Sequence, residues 1–98
     1  LILSNSYRIA FSSILKSLSQ HYASREVSCI NIAPGPIKTD RLYSLVDDME
    51  KLEASLPMKR AGKAEEIGLF VKSIVENNIK YLTGVTINFD GGLSKYVL

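Results

Sequence analysis

The chain has 98 residues, of which 46% are hydrophobic and 22% charged, proportions typical of a soluble globular domain. Twelve basic and ten acidic side chains leave a net charge of +2 and are mixed along the chain, so neither a nucleic-acid-binding block nor an acidic disordered tail is present. No apolar run reaches the ~18 residues of a membrane span. The single cysteine, Cys29, lies in an apolar run that favours a small buried residue over a reactive thiol. We therefore expect a cytoplasmic domain with no membrane or nucleic-acid partner.

The first predicted element is an amphipathic helix over about residues 4–22. One of its faces carries apolar side chains at helical spacing: Tyr7, Phe11, Ile14, Leu15, Leu18 and Tyr22. The other face carries Ser12, Ser13 and Ser17, which are small enough to let a second helix approach closely.

The stretch "EVSCINIA" (26–33) is mostly apolar and is typical of a strand buried on both faces of a parallel sheet. "PGP" (34–36) ends this strand, because proline cannot donate to a ladder and glycine permits a turn. Apolar residues then return to helical spacing over 41–56, and Pro57 ends that helix. "MKRAGKA" (58–64) is predicted to be a loop.

The last helix is predicted over 64–75, with Glu65 and Glu66 at the positive end of the helix dipole. "VTINFD" (85–90) alternates apolar and polar side chains as a strand does, and "DGG" (90–92) ends it. That turn holds one carboxylate, too few for calcium or magnesium, so we expect no metal. The order helix, strand, helix, helix, strand predicts an α/β fold with parallel strands.

Two strands alone leave the edges of a sheet uncovered, and an isolated pair is marginally stable. We therefore expect the 98 residues to be the C-terminal part of a larger α/β domain, or to pair with another chain.

Three longer motifs follow one another in the chain: "NIAPGPIKTD" (31–40), "RAGKAEEIGLFVKSIV" (60–75) and "YLTGVTINFDGG" (81–92). Their order and spacing resemble the C-terminal half of a short-chain dehydrogenase/reductase, in its 3-oxoacyl-acyl-carrier-protein reductase-like and sugar-alcohol dehydrogenase-like branch. The resemblance implies a Rossmann-like doubly wound parallel sheet that binds NAD or NADP. In this family the glycine-rich turn and the catalytic Ser and Asn belong to the N-terminal half. We therefore expect residues 1–98 to be the C-terminal part of one NAD(P)-binding domain, and to be inactive alone.

The resemblance also locates a catalytic helix. Family members carry Tyr-x-x-x-Lys at the start of the helix before the Pro-Gly strand, and counting back from Pro34 puts those positions at Ser4 and Arg8. In the family the phenol, whose pKa the lysine lowers, exchanges a proton with the substrate oxygen. An aliphatic hydroxyl is a far weaker acid than a phenol of pKa about 10, whereas Arg8 keeps a cation that could bind a ribose or an oxyanion.

A divergent branch of reductases in the family has Ser, Asn and Arg at these positions, and Ser4, Asn5 and Arg8 fit it. Tyr7 lies one helical turn from Ser4, but a replacement role would need a cation where Phe11 stands, so we interpret Tyr7 as a packing residue. The stretch is a substituted site, and whether it still catalyses is open.

By the same resemblance, Pro34, Gly35, Ile37 and Thr39 would line the nicotinamide end of the cofactor, Ile37 through its backbone and Thr39 through its hydroxyl. The alternative is a plain turn in which Thr39 caps the next helix. Helix 41–56 would be the family's mobile flap, and its apolar face would pack on the core or cover an apolar substrate.

The leading hypothesis is thus an NAD(P)-dependent oxidoreductase that interconverts a ketone and an alcohol, with a 3-oxoacyl thioester or a polyol as substrate. The alternative is a non-catalytic relative that binds a dinucleotide or forms oligomers. The family further implies a homodimer or homotetramer. Its contacts would involve the edge strand 85–89, the tail 93–98, helix 64–75 and the serine face of helix 4–22.

Overall fold

The computed structural model of the chain describes residues 2–95, and for Ile2, Ser4 and Asn5 it describes the backbone alone. These residues form two compact units. One runs to Ile32 and includes Ile74–Ile87, and the other comprises Ala33–Ser73 and the described residues from Asn88 onward. In the predicted tail, residues 96–98 lie outside the described part.

The secondary structure alternates between helices and short strands. The elements in chain order are α1 (Ile2–Tyr22), a 3-10 helix (Ala23–Arg25), β1 (Ile30–Pro34), β2 (Ile37–Lys38), α2 (Asp40–Leu45), α3 (Met49–Ser55), β3 (Gly62–Lys63), α4 (Ala64–Glu76) and β4 (Val85–Phe89). No helix among the described residues is long and apolar enough to cross a membrane.

The strands β1 and β4 are hydrogen-bonded neighbours in one sheet. Beside the start of β1, the Gly84 N–H donates to the Cys29 carbonyl (2.8 Å). Beyond its end, the Gly35 N–H donates to the Phe89 carbonyl (3.1 Å). The residue numbers of the paired positions increase in the same direction along both strands, so the strands run parallel. The predicted α/β class and its parallel pairing are confirmed.

A second, shorter pair was not predicted, because residues 58–64 have the composition of a loop. Strand β3 pairs in parallel with β2, with Ile37 opposite Gly62. The Gly62 N–H donates to the Pro36 carbonyl (2.9 Å), and a Cβ added at Gly62 would lie 2.8 Å from Ile37 Cδ1. The missing side chain of this glycine leaves room for the end of the Ile37 side chain.

The prediction of one continuous helix over 41–56 is wrong. The segment contains α2 and α3, and between them Val46 has extended backbone angles (φ −113°, ψ 122°). The Asp48 carboxylate accepts a hydrogen bond from the Lys51 N–H (3.1 Å) and begins a new helix. Aspartate stabilises a helix start better than a helix interior, and here its capping interaction overrides the apolar periodicity.

The packed side of α1 matches neither predicted face fully. Of the predicted serine face, Ser12 meets the sheet of its own chain, whereas Ser13 and Ser17 are exposed. The Ser12 and Thr86 hydroxyls are hydrogen-bonded (3.3 Å), and Ser19 is 2% exposed. A Cβ added at Gly84 would lie 2.5 Å from Ser19 Oγ, so only small residues permit this approach. The part of this face that carries Ser12 is therefore occupied within the chain.

The opposite side of α1 is an apolar stripe that faces away from the described part of the chain. We call Tyr7, Phe11, Ile14 and Leu18 the α1 stripe, and each of these side chains is between 45% and 68% exposed. Tyr7 is 68% exposed among the described residues, and its interpretation as a packing residue stays a prediction for the intact protein.

The interior of the second unit is small. Leu56 and Ala61 are buried, at 6% and 1% exposure. Phe70 of α4 contacts Phe89 of β4, with ring centroids 5.8 Å apart. This contact joins α4 to β4.

The close approach of α1 to Gly84 gives the first test. Gly84→Ala should destabilise the intact protein by about 1–3 kcal/mol, because Gly84 has φ = +68° and an added methyl group would meet Ser19. Gly68→Ala is the matched control. Nothing lies within 4 Å of a Cβ at Gly68, so alanine in this helix should stabilise by up to ~1 kcal/mol. Urea unfolding measures both changes, and equal midpoints would contradict the packing described.

Candidate functional site

The Pro-Gly turn after β1 is held by backbone contacts on two sides. The Gly35 N–H donates to the Phe89 carbonyl, and the Pro36 carbonyl accepts from the Gly62 N–H. A Cβ added at Gly35 would lie 2.8 Å from Asp90 Cβ, so the turn passes directly against the start of the "DGG" turn. The positions of Gly35 and Ile37 are therefore fixed by the fold before any ligand binds.

Thr39 ends this segment and begins α2. Its Oγ1 accepts a hydrogen bond from the Leu42 N–H (3.3 Å), and its carbonyl accepts from the Tyr43 N–H (3.1 Å). Thr39 is thus the N-cap that the alternative interpretation expects. Its side chain is exposed, and a hydroxyl that accepts through oxygen can still donate its own hydrogen. The capping role therefore leaves the hydroxyl hydrogen of Thr39 available as a donor.

A cavity of about 260 Å³ lies beside this segment in the second unit. Apolar and polar side chains both line it: Pro36, Ile37, Leu56, Met58, Arg60, Gly62, Glu66, Asn88, Phe89, Asp90 and Gly91. Pro34, Gly35 and Thr39 are not among the lining residues. Of the predicted cofactor residues, this cavity therefore reaches only Ile37.

Two charged groups of the cavity, Arg60 and Glu66, are paired with each other. Arg60 donates from both terminal nitrogens to the two oxygens of Glu66 (2.7 and 3.1 Å), and Glu66 Oε1 also accepts from the Lys63 N–H (3.1 Å). Chiefly through the bond from Arg60, and then through that from Lys63, the pKa of Glu66 falls from its usual 4.5 to about 2. This pair is a clamp that ties the residues before α4 to its first turn.

A second carboxylate links three segments nearby. Glu53 Oε2 accepts from the buried Ala61 N–H (2.9 Å) and lies 3.5 Å from Lys38 Nζ. The Ala61 N–H above all, helped by the Lys38 charge, holds the pKa of Glu53 below its usual value. Glu53 is therefore an anion that ties α3 to β2 and to the residue before β3.

Sequence reasoning did not identify Glu53, Arg60 or Glu66 as a group. For Glu66 the sequence contains half of a known pattern. A glutamate three residues after Lys63, the residue just before α4, is the acidic end of a capping box. Nothing in the spacing points to Arg60 or to Glu53. Among the described residues, no three His, Cys, Asp or Glu side chains are grouped as a metal site requires.

The two predicted catalytic positions lie near the start of α1, in the first unit. Both Ser4 and Arg8 are helical, one turn apart, and the Arg8 side chain is exposed. The side chain of Ser4 lies outside the described residues, as does that of Asn5. The predicted cofactor residues from Pro34 to Thr39 belong to the second unit.

A family model described as Enoyl-(Acyl carrier protein) reductase matches residues 4–94. This match covers almost all of the chain. The chain therefore belongs to the short-chain dehydrogenase/reductase family, as the three motifs predict.

Curated relatives agree with this assignment. Glucose 1-dehydrogenase of Gluconobacter oxydans (strain 621H) is 36% identical over 90 residues, which are 89% of this chain and 34% of that protein. The 3-oxoacyl-(acyl-carrier-protein) reductase of Escherichia coli (strain K12) is 37% identical over 79 residues, 80% of this chain and 32% of that protein. The chain thus spans about a third of the length of the curated relatives it matches.

Solved structures show the same fold. YwfH, described as an NADPH dependent reductase involved in bacilysin biosynthesis, is 29% identical with a TM-score of 0.82, over 91% of this chain and 38% of that one. A short-chain dehydrogenase/reductase, glucose/ribitol dehydrogenase, from Brucella melitensis is 27% identical with a TM-score of 0.76, over 89% and 36%. The Rossmann-like α/β class of the chain is confirmed.

The Arg60–Glu66 pair predicts a pH dependence. Unfolded Glu66 takes up a proton near pH 4.5, whereas folded Glu66 stays ionised to about pH 2. The pair therefore stabilises the protein above pH 4.5, and that stabilisation is lost as the pH falls toward 2. Glu66→Gln should lower stability at neutral pH and flatten the acid loss, whereas Glu65→Gln, at an exposed carboxyl of the same turn, should leave the acid profile as it is. Urea unfolding at neutral pH and at about pH 3 checks this. The same acid slope in both variants would refute the assignment.

Proposed function

We propose that the intact protein is an NAD(P)-dependent oxidoreductase that interconverts a ketone and an alcohol. The fixed Pro34–Thr39 turn carries this proposal. It keeps Ile37 in place on a short strand and presents the exposed Thr39 hydroxyl at the start of α2. The named functions of two neighbours support the cofactor class: YwfH is an NADPH dependent reductase, and a blue fluorescent protein with 25% identity and a TM-score of 0.75 was solved in complex with NADPH.

The residues present fit the nicotinamide end of such a cofactor. Thr39 retains a hydroxyl hydrogen for the carboxamide, and the backbone of Ile37 lies beside it on β2. No Gly-x-Gly-x-x-Gly turn occurs in the 98 residues, so the group that holds the pyrophosphate is not among them. We accordingly expect these residues by themselves to bind no dinucleotide tightly and to be inactive.

A bound nicotinamide would supply or accept the hydride at the substrate carbon. The part of this chain is to hold the ring through Ile37 and Thr39 and to place a cation, Arg8, where the family has lysine. Arginine cannot lose its charge near neutral pH and binds oxygen pairs in bidentate form. We therefore assign Arg8 to a ribose or to the developing substrate oxyanion, and Ser4 to a hydrogen bond rather than to an acid.

The second candidate is a relative that binds the dinucleotide or forms an oligomer without catalysis. The assignment of Ser4 to the position of the family's tyrosine supports it, since a serine hydroxyl is a poor proton donor. Activity of the intact protein separates the two candidates.

We also propose that the protein is a homodimer or homotetramer, with the α1 stripe at a contact between copies. Ser12 of the predicted serine face is bonded to Thr86 of the same chain, whereas the side chains of the stripe are exposed, so we place the contact on the stripe. Exposed apolar side chains at helical spacing match a second copy of the same helix around a two-fold axis. Phe89 packs on Phe70, so a substitution there would report folding rather than assembly.

Kinetics of the intact protein test the catalytic assignment. With NADPH or NADH and a panel of 3-oxoacyl thioesters and sugars, Arg8→Ala should lower kcat/KM by about 10- to 100-fold, because a charge-assisted hydrogen bond is lost. Ser4→Ala should cost less, and Arg25→Ala, which removes an arginine just past the other end of α1, should cost little. Near-wild-type turnover by Arg8→Ala would remove this residue from the site. If the wild type reduces no member of the panel with either cofactor, the non-catalytic candidate is favoured.

Light scattering tests the assembly. The intact wild type should have the mass of a dimer or tetramer, and Ile14→Glu should shift it toward the monomer, because a charge on the stripe would be buried at the contact. Ser13→Glu adds the same charge at the neighbouring exposed position and should leave the mass unchanged. Identical masses for the two variants would show that the stripe is not the interface.

A further inference from the structure

We infer that Glu53 is a positioning residue that holds β2, and with it Ile37 and Thr39, in the geometry that the proposed cofactor requires. This inference rests on the proposed function. Glu53 itself lines no part of the cavity and lies on α3, two elements away from β2 in the chain.

The first observation is the backbone hydrogen bond. Ala61 is 1% exposed and immediately precedes β3, and its N–H donates to Glu53 Oε2 (2.9 Å). A buried backbone donor without an acceptor is costly, so the structure around Ala61 depends on this carboxylate. Because Gly62 bonds to the Pro36 carbonyl, a shift at Ala61 is passed directly to the segment before β2.

The second observation is the ion pair with β2 itself. The same oxygen of Glu53 lies 3.5 Å from Lys38 Nζ, and the two side chains are only 35% and 23% exposed. Lys38 stands between Ile37 and Thr39, so its side chain fixes one residue of a three-residue segment whose other two would contact the nicotinamide. One carboxylate oxygen thus acts on β2 twice, directly through Lys38 and indirectly through Ala61.

The third observation is that α3 is a firm anchor. Leu56, just after the helix, is 6% exposed, and Lys59 Nζ donates to the Ala54 carbonyl (2.9 Å). The end of α3 is therefore fixed independently of Glu53. Glu53 thus lies on a helix whose end is held by other contacts, and it reaches a strand, β2, of only two residues. This arrangement suits a positioning contact.

The experiment compares Glu53→Ala, Glu53→Gln, Lys38→Met and Glu50→Ala in the intact protein. Glu50 is an exposed carboxylate on the same helix and serves as the control. Two quantities are measured, namely amide hydrogen exchange of residues 36–42 without cofactor, and the Kd of NADPH by fluorescence titration. Thermal unfolding of each variant monitors global stability.

Glu53→Ala should speed exchange of residues 36–42 by about tenfold and weaken NADPH binding by about 5- to 10-fold, the size expected when a hydrogen bond to a charged group is lost. Glu53→Gln should have a smaller effect, because its amide oxygen still accepts from Ala61 but no longer attracts Lys38. Lys38→Met should loosen residues 36–42 with little change in Tm. Glu50→Ala should match the wild type in every measurement.

A purely structural role predicts something else: a lower Tm, faster exchange throughout the chain and an unchanged Kd for NADPH. That result would overturn the inference, as would equal exchange of residues 36–42 in Glu53→Ala and Glu50→Ala. If Glu53→Ala does not fold, Lys38→Met against Glu50→Ala decides the question by the same criteria. A wild type that binds neither NADPH nor NADH overturns the proposed function, and the exchange measurement then decides whether Glu53 holds β2.

Discussion

The second unit depends on one backbone hydrogen bond, from the Gly62 N–H to the Pro36 carbonyl. It turns the connection after α3 back against the Pro-Gly turn, which creates the short β2–β3 pair and closes one wall of the cavity. The two carboxylate clamps then flank this bond, Glu53 on the residue before Gly62 and Glu66 on the residue after it. A larger residue at position 62 would shift the end of the Ile37 side chain, which lies 2.8 Å from a Cβ placed there.

Much of the fold could be predicted from local pattern. Periodicity and turn residues located α1, β1, α4 and β4 to within a few residues, because each of these elements is specified by its own side chains. The break between α2 and α3 was missed, since the capping strength of Asp48 competes with a regular apolar spacing. The face of α1 was also missed. An apolar stripe normally marks the buried side, but here a short glycine-to-serine distance determines which side meets the sheet.

The residues of the candidate site likewise include some that the sequence predicts and some that it does not. Pro34, Gly35, Ile37 and Thr39 are adjacent in the chain, so a motif could identify them together. Glu53 could not be identified with Lys38 and Ala61, because those partners lie fifteen residues before and eight residues after it and meet it only in the folded unit. Residues that bind a ligand directly leave a sequence motif, whereas residues that hold such a segment in place depend on tertiary contacts and leave none here.

The contacts that α1 makes with β4 also bear on how the chain is synthesised. Ser12 is hydrogen-bonded to Thr86, which is synthesised 74 residues later, and Lys16 donates to the carbonyl of Gly84, 68 residues later. The Cys29 N–H likewise donates to the hydroxyl oxygen of Thr83, 54 residues later. Such long separations slow folding, since the chain must close a large loop before any of these contacts forms. During translation the first unit therefore stays open until residues 83–86 have left the ribosome. Throughout that interval the side of α1 that carries Ser12 and Ser19 lacks the residues on which it packs here, and incompletely packed chains are prone to aggregation.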